Sequence, residues 1–199
     1  KESGLAASFR KTLKKGQITV TDFTEYLPSY NAPAGFIATP IIDGDATVGV
    51  LAVQIPIDQI EMVMTGNYEW ENEGLGSSGE TYLVGADLKM RNNSRFFIQD
   101  KENYFNQIRS VTDKDVISKM DVFNTTILQA TVNTPGVRKA LQGQQGNEII
   151  TDYRGVEVFS SFKPLNIDGL DWVILSEVDR SEAMKGIYKY AIYAISLFL

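Results

Sequence analysis

Residues 74–95 decide the fold of this chain, and they read Gly-Leu-Gly-Ser-Ser-Gly-Glu-Thr-Tyr-Leu-Val-Gly-Ala-Asp-Leu-Lys-Met-Arg-Asn-Asn-Ser-Arg. Gly74, Gly76 and Gly79 match the letters of a dinucleotide-binding Gly-x-Gly-x-x-Gly motif. That motif requires a strand before the glycines and a helix after them, so that the helix N-terminus can hold a pyrophosphate. Here a polar run precedes the glycines and a strand-like run follows them. The pattern therefore argues against a nucleotide site.

The residues after the glycines predict the opening hairpin of a small antiparallel sheet. A strand is expected over 80–84, a turn at Gly85-Ala86-Asp87, and a returning strand over 88–91. After this hairpin, the sequence of the second half predicts helices, followed by strands over 147–153, 156–164 and 171–178. Within the helical segment, Phe123, Ile127 and Ala130 fall on one helical face, and Thr134-Pro135 is typical of a helix start.

The first 65 residues repeat the later part of this order. The sequence predicts a helix over 5–15 that ends at Gly16, strands over 17–22, 34–42 and 47–55, and a short helix from Pro56 to Met64. In the first helix, the cluster Arg10, Lys11, Lys14 and Lys15 alternates with Leu5, Phe9 and Leu13, which is typical of an amphipathic helix with a solvated charged face. Helix, three strands and helix thus occur twice.

Composition limits the function. The chain has 199 residues, of which 43% are hydrophobic and 22% charged, so it is long and apolar enough for a folded core. A net charge of -6 argues against nucleic acid as a partner, because phosphate binding needs a concentrated basic surface.

The chain contains no histidine and no cysteine. Their absence excludes Ser-His and Cys-His nucleophiles, thiolate and imidazole metal ligands, and dithiol redox chemistry. No cofactor and no metal site is expected; Asp43-Gly44-Asp45 is interpreted as a hairpin turn rather than a calcium loop. An enzyme would have to rely on paired carboxylates, such as Asp152 with Glu148 or Glu157. We interpret these as exposed hairpin charges.

The last ten residues, 190–199, carry no charge. They would form the first half of a membrane-spanning helix, with Lys185, Lys189 and neighbouring tyrosines at the interface. The alternative is an amphipathic helix that packs on the domain. Asp179-Arg180-Ser181-Glu182 predicts the start of one continuous helix that leads into this segment.

The long motif of residues 74–95 resembles the opening of the membrane-proximal, PAS-like unit of double Cache sensor domains from bacterial transmembrane receptors. Similar matches are Pro33-Ala34-Gly35-Phe36-Ile37-Ala38-Thr39-Pro40, Asp152-Tyr153-Arg154-Gly155 and Leu170-Asp171-Trp172-Val173-Ile174. The resemblance implies an α+β fold of two tandem PAS-like Cache units with antiparallel five-stranded sheets, the first unit incomplete at its N-terminus, followed by the start of a transmembrane helix. It places the end of the membrane-distal unit at 1–65, a linker at 66–78, the membrane-proximal unit at 79–180 and the exit helix at 181–199.

The resemblance implies a non-enzymatic domain that senses a small molecule outside the cytoplasm, in an inner-membrane receptor with a chemotaxis, histidine-kinase or nucleotide-cyclase output. The expected partners are a small organic solute, with a carboxylate-bearing one as an option, the membrane through the C-terminal helix, and a second copy in a homodimer. No nucleic acid is expected. The alternative function is a structural dimerisation or adhesion ectodomain without a small ligand.

PAS-like units bind ligands between the concave sheet face and the elements that cover it. The expected ligand-binding residues are aromatic and charged side chains on these strands and loops: Asp22, Tyr30 and Phe36 in the first unit, and Tyr82, Arg91, Arg95, Tyr153 and Phe159 in the second. Arginine beside aromatic rings suits a carboxylate, because a guanidinium donates two parallel hydrogen bonds. The alternative is that Arg95 fixes a loop by pairing with a nearby acid while Tyr82 and Phe159 are core residues.

Overall fold

The computed structural model describes residues 3–185. Helices and strands follow one another as α1 (Gly4–Lys15), β1 (Thr19–Tyr26), β2 (Ala32–Asp43), β3 (Ala46–Gln54), α2 (Ile57–Thr65), β4 (Glu80–Gly85), α3 (Arg95–Gln99), α4 (Lys101–Ile108), α5 (Lys114–Phe123), α6 (Pro135–Leu141), β5 (Gly146–Thr151), β6 (Glu157–Pro164), β7 (Trp172–Asp179) and α7 (Arg180–Ala183). A 3₁₀ turn, Leu27–Ser29, connects β1 to β2. The chain is therefore an α+β protein.

Two separate antiparallel sheets form, as predicted. The first has the order β1-β2-β3, and the second has the order β4-β7-β6-β5. The first and last strands of the second sheet in sequence, β4 and β7, are neighbours in space, and helices α3–α6 lie between β4 and β5 along the chain.

The prediction of a fifth strand in the second sheet is wrong. Residues 88–91 make only isolated bridges, from Met90 to Val84 and from Lys89 to Thr131. Leu88 has a positive φ of 62°, which an extended strand cannot accommodate. The chain turns at that point, and Ser94 already caps α3 by accepting a hydrogen bond from the Phe96 amide. The hairpin therefore opens as predicted but ends after one bridge.

Helix α1 lies against the first sheet with its small residues. Its buried positions are Gly4, Ser8 and Thr12, while Leu5, Phe9 and Leu13 are 36%, 44% and 43% exposed. A Cβ on Gly4 would come within 2.7 Å of Thr24 Oγ1, so only glycine allows this close approach. The helix ends at Gly16 in the left-handed conformation, as predicted.

The helical segment between β4 and β5 differs from its prediction in one place. Helix α5 ends at Phe123, so Phe123 and the buried Ile127 and Ala130 do not share a helix face. The prediction for α6 is confirmed: Thr134 accepts a hydrogen bond from the Val137 amide, and Pro135 takes the first helical position.

The apolar core has two parts. The larger lies between the second sheet and α3–α6, and includes Tyr82, Leu175 and Phe162 from three adjacent strands. The smaller joins the two sheets, and brings Phe23 of β1 against Trp172 of β7, with ring centroids 5.2 Å apart. The two sheets therefore share a packed junction.

Most of the predicted continuous C-terminal helix lies outside the described residues, within which α7 covers Arg180–Ala183. None of the helices in residues 3–185 combines the length and apolar character that a bilayer crossing requires.

Candidate functional site

The glycine-rich loop 74–79 is held from both sides by side chains of the second half. Arg95 donates from Nη1 to the Gly79 carbonyl (2.5 Å) and from Nη2 to the Gly76 carbonyl (2.8 Å). Glu182 of α7 accepts hydrogen bonds from the Ser77 and Ser78 amides at 2.8 and 2.7 Å, and one from the Ser78 hydroxyl. These bonds lower the pKa of Glu182 to about 2. The loop amides that resemble a phosphate cradle thus bind the protein's own carboxylate.

The segment after the hairpin ties the two sheets together. Arg91 is 2% exposed and pairs with Asp22 of β1 and with Asp87. Asn93 donates from its backbone and side-chain nitrogens to Glu61 of α2. Burial raises the pKa of Glu61 to about 7 despite these bonds. The contacts of Arg91 with Asp22 and of Asn93 with Glu61 join the second half of the chain to the first.

A polar network lies inside the second sheet, on the face covered by helices. Tyr153 donates to Glu80 at 2.7 Å and shares a 2.8 Å hydrogen bond with the Ser94 hydroxyl. Tyr82 donates to Glu177 at 2.8 Å, and its ring meets that of Tyr153 edge-on with centroids 5.6 Å apart. Burial raises the pKa of both tyrosines well above the ordinary value, so both phenols are neutral hydrogen-bond donors.

A polar cleft of about 420 Å³ opens beside this network. It lies between the start of α5, the start of α6 and the end of β5, and Tyr153 forms part of its wall. Its size falls within the range of roughly 300–1,000 Å³ that is usual for ligand pockets. Its polar lining consists of Thr112, Asp113, Thr131, Asn133, Thr134, Thr151, Asp152 and Tyr153.

A second cavity, of about 560 Å³, lies on the opposite face of the same sheet and includes Phe159. Tyr82 and Phe162 are both cross-strand partners of Leu175, whereas Phe159 pairs with Val178. Because side chains alternate along a strand, Phe159 faces away from Tyr82. The prediction that Phe159 lines the helix-covered face is therefore wrong.

The structure brings the predicted site residues together in pairs. Asp22 and Arg91, expected in different units, contact each other, and Tyr82 contacts Tyr153 in the helix-covered core. Arg95 fixes a loop, as the alternative interpretation expected, but it does so through carbonyls of the loop and not through an acid.

The two aromatic candidates of the first half lie apart from each other. Phe36 is 4% exposed and packs edge-on against Tyr26, with ring centroids 5.2 Å apart. Tyr30 is 95% exposed, with a positive φ of 54°. Whether any of the eight predicted residues binds a ligand stays a prediction.

The buried glutamates were not predicted as site residues. Glu80, Glu177 and Glu61 are 3%, 4% and 5% exposed. A signal for two of them exists in the sequence: Tyr82 and Val84 face the core, so Glu80, two residues earlier on the strand, must face it as well. The same spacing from Val173 and Leu175 places Glu177 inside.

The three carboxylates considered for an enzyme site pair with different cations, and Asp152 is only 6% exposed, so its interpretation as an exposed charge is wrong. Asp152 binds Arg154 at 2.6 Å, Glu148 binds Lys139 at 2.5 Å and Glu157 binds Arg180 at 3.1 Å. Within residues 3–185, no group of three or more acidic side chains is arranged to hold a metal ion.

Solved structures share this fold. The ligand-binding domain of the amino acid chemoreceptor PctB from Pseudomonas aeruginosa PAO1, in complex with L-Gln, superposes with a TM-score of 0.52 and 18% identity, and covers 96% of this chain and 64% of that one. The corresponding domain of PctC from the same organism, in complex with GABA, gives a TM-score of 0.52 and 14% identity, over 87% of this chain and 61% of that one.

The extracellular domain of the putative histidine kinase mmHK1S-Z3 gives a TM-score of 0.51 and 12% identity, over 92% of this chain and 56% of that one. The chain thus spans about 60% of the length of the structures it matches. No protein-family model matches the sequence, and no curated protein matches it either. The similarity to the sensor domains is one of fold, and at that level the resemblance found in the sequence is confirmed.

Proposed function

We propose that this chain is the extracytoplasmic small-molecule-sensing region of a bacterial transmembrane signalling receptor. The observation that carries the proposal is the fold shared with ligand-binding domains of chemoreceptors over 96% of the chain. The packed junction between the sheets supports it further, because a sensor has to pass a change in one half to the other. A ligand would act by binding one arrangement of the halves more tightly than another.

We place the ligand in the polar cleft beside Tyr153. The cleft has a suitable volume, and Tyr153 connects its wall to the buried network of Glu80 and Ser94. Asp113 in its lining suits an amine, while Thr112 and Asn133 offer hydrogen bonds to a carboxylate. The solute class is therefore a small zwitterion such as an amino acid, the class of ligand present in the PctB and PctC structures.

A ligand panel tests the proposal. The purified chain is titrated with the standard amino acids, GABA and small carboxylates, and thermal stability and heat of binding are measured. A solute that binds the folded state raises the melting temperature by mass action. If no member of the panel stabilises the chain or releases heat, small-zwitterion sensing is contradicted.

The position of the ligand is tested separately. Thr112→Leu fills the cleft without removing any hydrogen bond described above, and Thr47→Leu is its control at an exposed position of β3. Loss of binding in the first variant alone supports the cleft. Binding retained in both variants moves the site elsewhere and leaves the sensing function intact.

The remaining parts of the receptor assignment belong to this proposal as well. They comprise the unit boundaries at 65, 78 and 180, two tandem PAS-like units, an exit helix that enters the inner membrane, the absence of catalysis in this region and a homodimeric receptor. Sedimentation analysis of the isolated chain tests self-association, and insertion of a reporter fusion into membrane vesicles tests the C-terminal segment.

One observation favours the structural alternative, a dimerisation or adhesion ectodomain. The first half exposes apolar side chains on α1 and on the face of the first sheet that is turned away from α1. On that sheet face, the exposed fractions of Ile37, Leu51 and Val53 are 45%, 56% and 57%. Adjacent exposed apolar residues of this kind are typical of interaction surfaces. Self-association without any solute effect on stability would favour this function over sensing.

A further inference from the structure

Two glutamates face each other inside the second sheet. Glu80 of β4 and Glu177 of β7 are direct cross-strand partners, and they are 3% and 4% exposed. Two ionised carboxylates at adjacent positions repel each other, and burial makes each charge costly. The arrangement therefore favours a state in which at least one of the two carboxyls is protonated.

The hydrogen bonds of the two carboxyls differ. Glu80 has donors on both oxygens, since Oε1 accepts from the Arg95 amide at 2.6 Å and Oε2 accepts from the Tyr153 hydroxyl at 2.7 Å. Glu177 Oε2 accepts from the Tyr82 hydroxyl, whereas Oε1 is buried without a hydrogen-bond partner in the described part of the chain. A carboxylate is stabilised by donors on its oxygens. Glu80 is thus the better site for the charge and Glu177 for the proton.

Ser160 completes the geometry. It is the cross-strand partner of Glu177 on β6. Its buried Oγ makes no hydrogen bond of ordinary geometry within residues 3–185, but it lies close enough to Glu177 to lower the pKa of that carboxyl. A proton on Glu177 Oε1 could be donated to this hydroxyl, which would satisfy both buried atoms. An ionised Glu177 needs the hydroxyl to turn and donate instead.

The charged and titratable groups around the pair come from each element packed on it. They are Glu61 on α2, Tyr82 on β4, Arg95 at the start of α3, Tyr104 on α4, and Asp152, Tyr153 and Arg154 between β5 and β6. Arg154 directs its guanidinium to Asp152 and Asp179. The Arg154 guanidinium is therefore already paired with two other acids.

We propose that Glu80 and Glu177 form a proton-binding site in the core of the second sheet, and that release of the proton loosens the end of β7 from which α7 begins. The ligand is a proton, so the inference goes beyond the proposed sensing of an organic solute and does not depend on it. Burial raises the pKa of Glu177 to about 7 and raises that of Glu80, which is consistent with release near neutral pH.

The route from the pair to α7 is short. Glu177 lies two residues before Asp179, whose amide donates to the Ser78 hydroxyl at 3.0 Å. Ser78 in turn lies two residues before Glu80 and binds Glu182 of α7. Repulsion between two ionised carboxylates would therefore act on strand ends that are tied directly to the helix start.

The test is a pH titration of the glutamate side-chain carboxyls by ¹³C NMR, on the full chain, between about pH 4 and about pH 9, a range that brackets ordinary and raised glutamate pKa values. We expect one resonance with a midpoint at about pH 7 that disappears in Glu177→Gln and persists in Glu102→Gln, a control at an exposed position of α4. Glu61 gives a second raised midpoint, which Glu61→Gln removes. If every glutamate other than Glu61 titrates near its ordinary value, the proposal is overturned.

Two further measurements keep the test decisive if Glu177→Gln does not fold. Ser160→Ala retains both carboxyls and removes a hydroxyl whose net effect is to lower the pKa of Glu177, so it should raise the Glu177 midpoint; an unchanged midpoint contradicts the assignment. In the unmodified chain, amide exchange at residues 178–184 should increase across the same midpoint beyond the intrinsic effect of pH. Exchange that follows the intrinsic rate alone contradicts the coupling to α7.

Discussion

Asp22 and Arg91 form a two-pronged ion pair between the two halves of the chain. Arg91 Nε lies 2.8 Å from Asp22 Oδ1, and Nη2 lies 2.8 Å from Oδ2, across a sequence separation of 69 residues. The indole nitrogen of Trp172 donates to the same carboxylate at 2.7 Å. One carboxylate of the first sheet thus holds two side chains of the second half, and this relationship leads to the first prediction.

We expect Asp22→Ala to lower the free energy of unfolding by about 2–3 kcal/mol, because it leaves the buried Arg91 guanidinium with one acid instead of two and removes the partner of Trp172. Urea denaturation followed by tryptophan fluorescence measures the loss. Asp87→Ala is the matched control: Asp87 is 51% exposed, and its loss should cost less than about 1 kcal/mol. Equal effects of the two variants would show that Asp22 does not hold the junction.

The second prediction concerns the clamp on loop 74–79. Glu182→Ala removes the acceptor of the Ser77 and Ser78 amides, so these amides should exchange faster, with a stability loss of about 1 kcal/mol because the carboxylate is partly solvated. The folded pKa is lowered from 4.5 to about 2. The contribution of Glu182 to the free energy of unfolding is therefore present above pH 4.5 and is lost as the pH falls toward 2.

Hydrogen exchange of the two serine amides, with stability measured by denaturation, checks this prediction. Glu157→Ala serves as the control, since Glu157 also contacts α7 through Arg180 but is 63% exposed. Unchanged protection of Ser77 and Ser78 in Glu182→Ala would contradict the clamp.

The third prediction tests the close approach of Arg91 to the turn of the hairpin. A Cβ on Gly85 would overlap the Arg91 guanidinium, so Gly85→Ala should displace the ion pair and lower stability by about 1–3 kcal/mol. Gly49→Ala on β3 meets nothing nearer than 3.5 Å, from the Ile41 side chain, and should be neutral or slightly stabilising. Thermal denaturation of both variants measures the change in stability. An unchanged stability of Gly85→Ala would show that the Arg91 guanidinium moves aside at no cost in stability.

Local features of this fold could be predicted from the sequence, whereas the contacts between the halves could not. Gly16 and Thr134-Pro135 act on neighbouring residues, so their patterns give the ends of α1 and α6 correctly. The burial of Gly4, Ser8 and Thr12 instead of Leu5, Phe9 and Leu13 depends on how closely α1 approaches the sheet. That approach depends on the shape of the partner surface, which periodicity does not contain.

In the candidate site, too, local features could be predicted from the sequence, whereas contacts between distant residues could not. Tyr82 and Tyr153 were predicted because aromatic residues on strands of a PAS-like sheet are expected in the pocket, and the structure places them in contact. Asp22 and Arg91 were assigned to separate units because nothing in either local pattern relates residues so far apart. Phe159 was assigned to the wrong face because the register of β6 against β7 sets which residues alternate inward.

The last prediction concerns the pH dependence of stability at the junction. The pKa of Glu61 is raised from 4.5 to about 7, chiefly by burial. Between these values the Glu61 carboxyl binds more protons in the folded state than in the unfolded state, so its contribution to the free energy of unfolding should fall as the pH rises from 4.5 through 7, by about 3 kcal/mol. Glu61→Gln should remove the share of the decline that belongs to Glu61, because the amide stays neutral, and should leave the share of Glu177.

Urea denaturation at several pH values measures the effect, with Glu25→Gln, at an exposed position of β1, as the control that should retain the decline. The double variant Glu61→Gln with Glu177→Gln should flatten the curve further than either single variant, because each of the two carboxyls has a raised pKa. A stability that rises with pH across this window in the unmodified chain would show that Glu61 is ionised at little cost. In that case the Asn93 amide and side-chain nitrogen would fully offset the desolvation of the carboxylate.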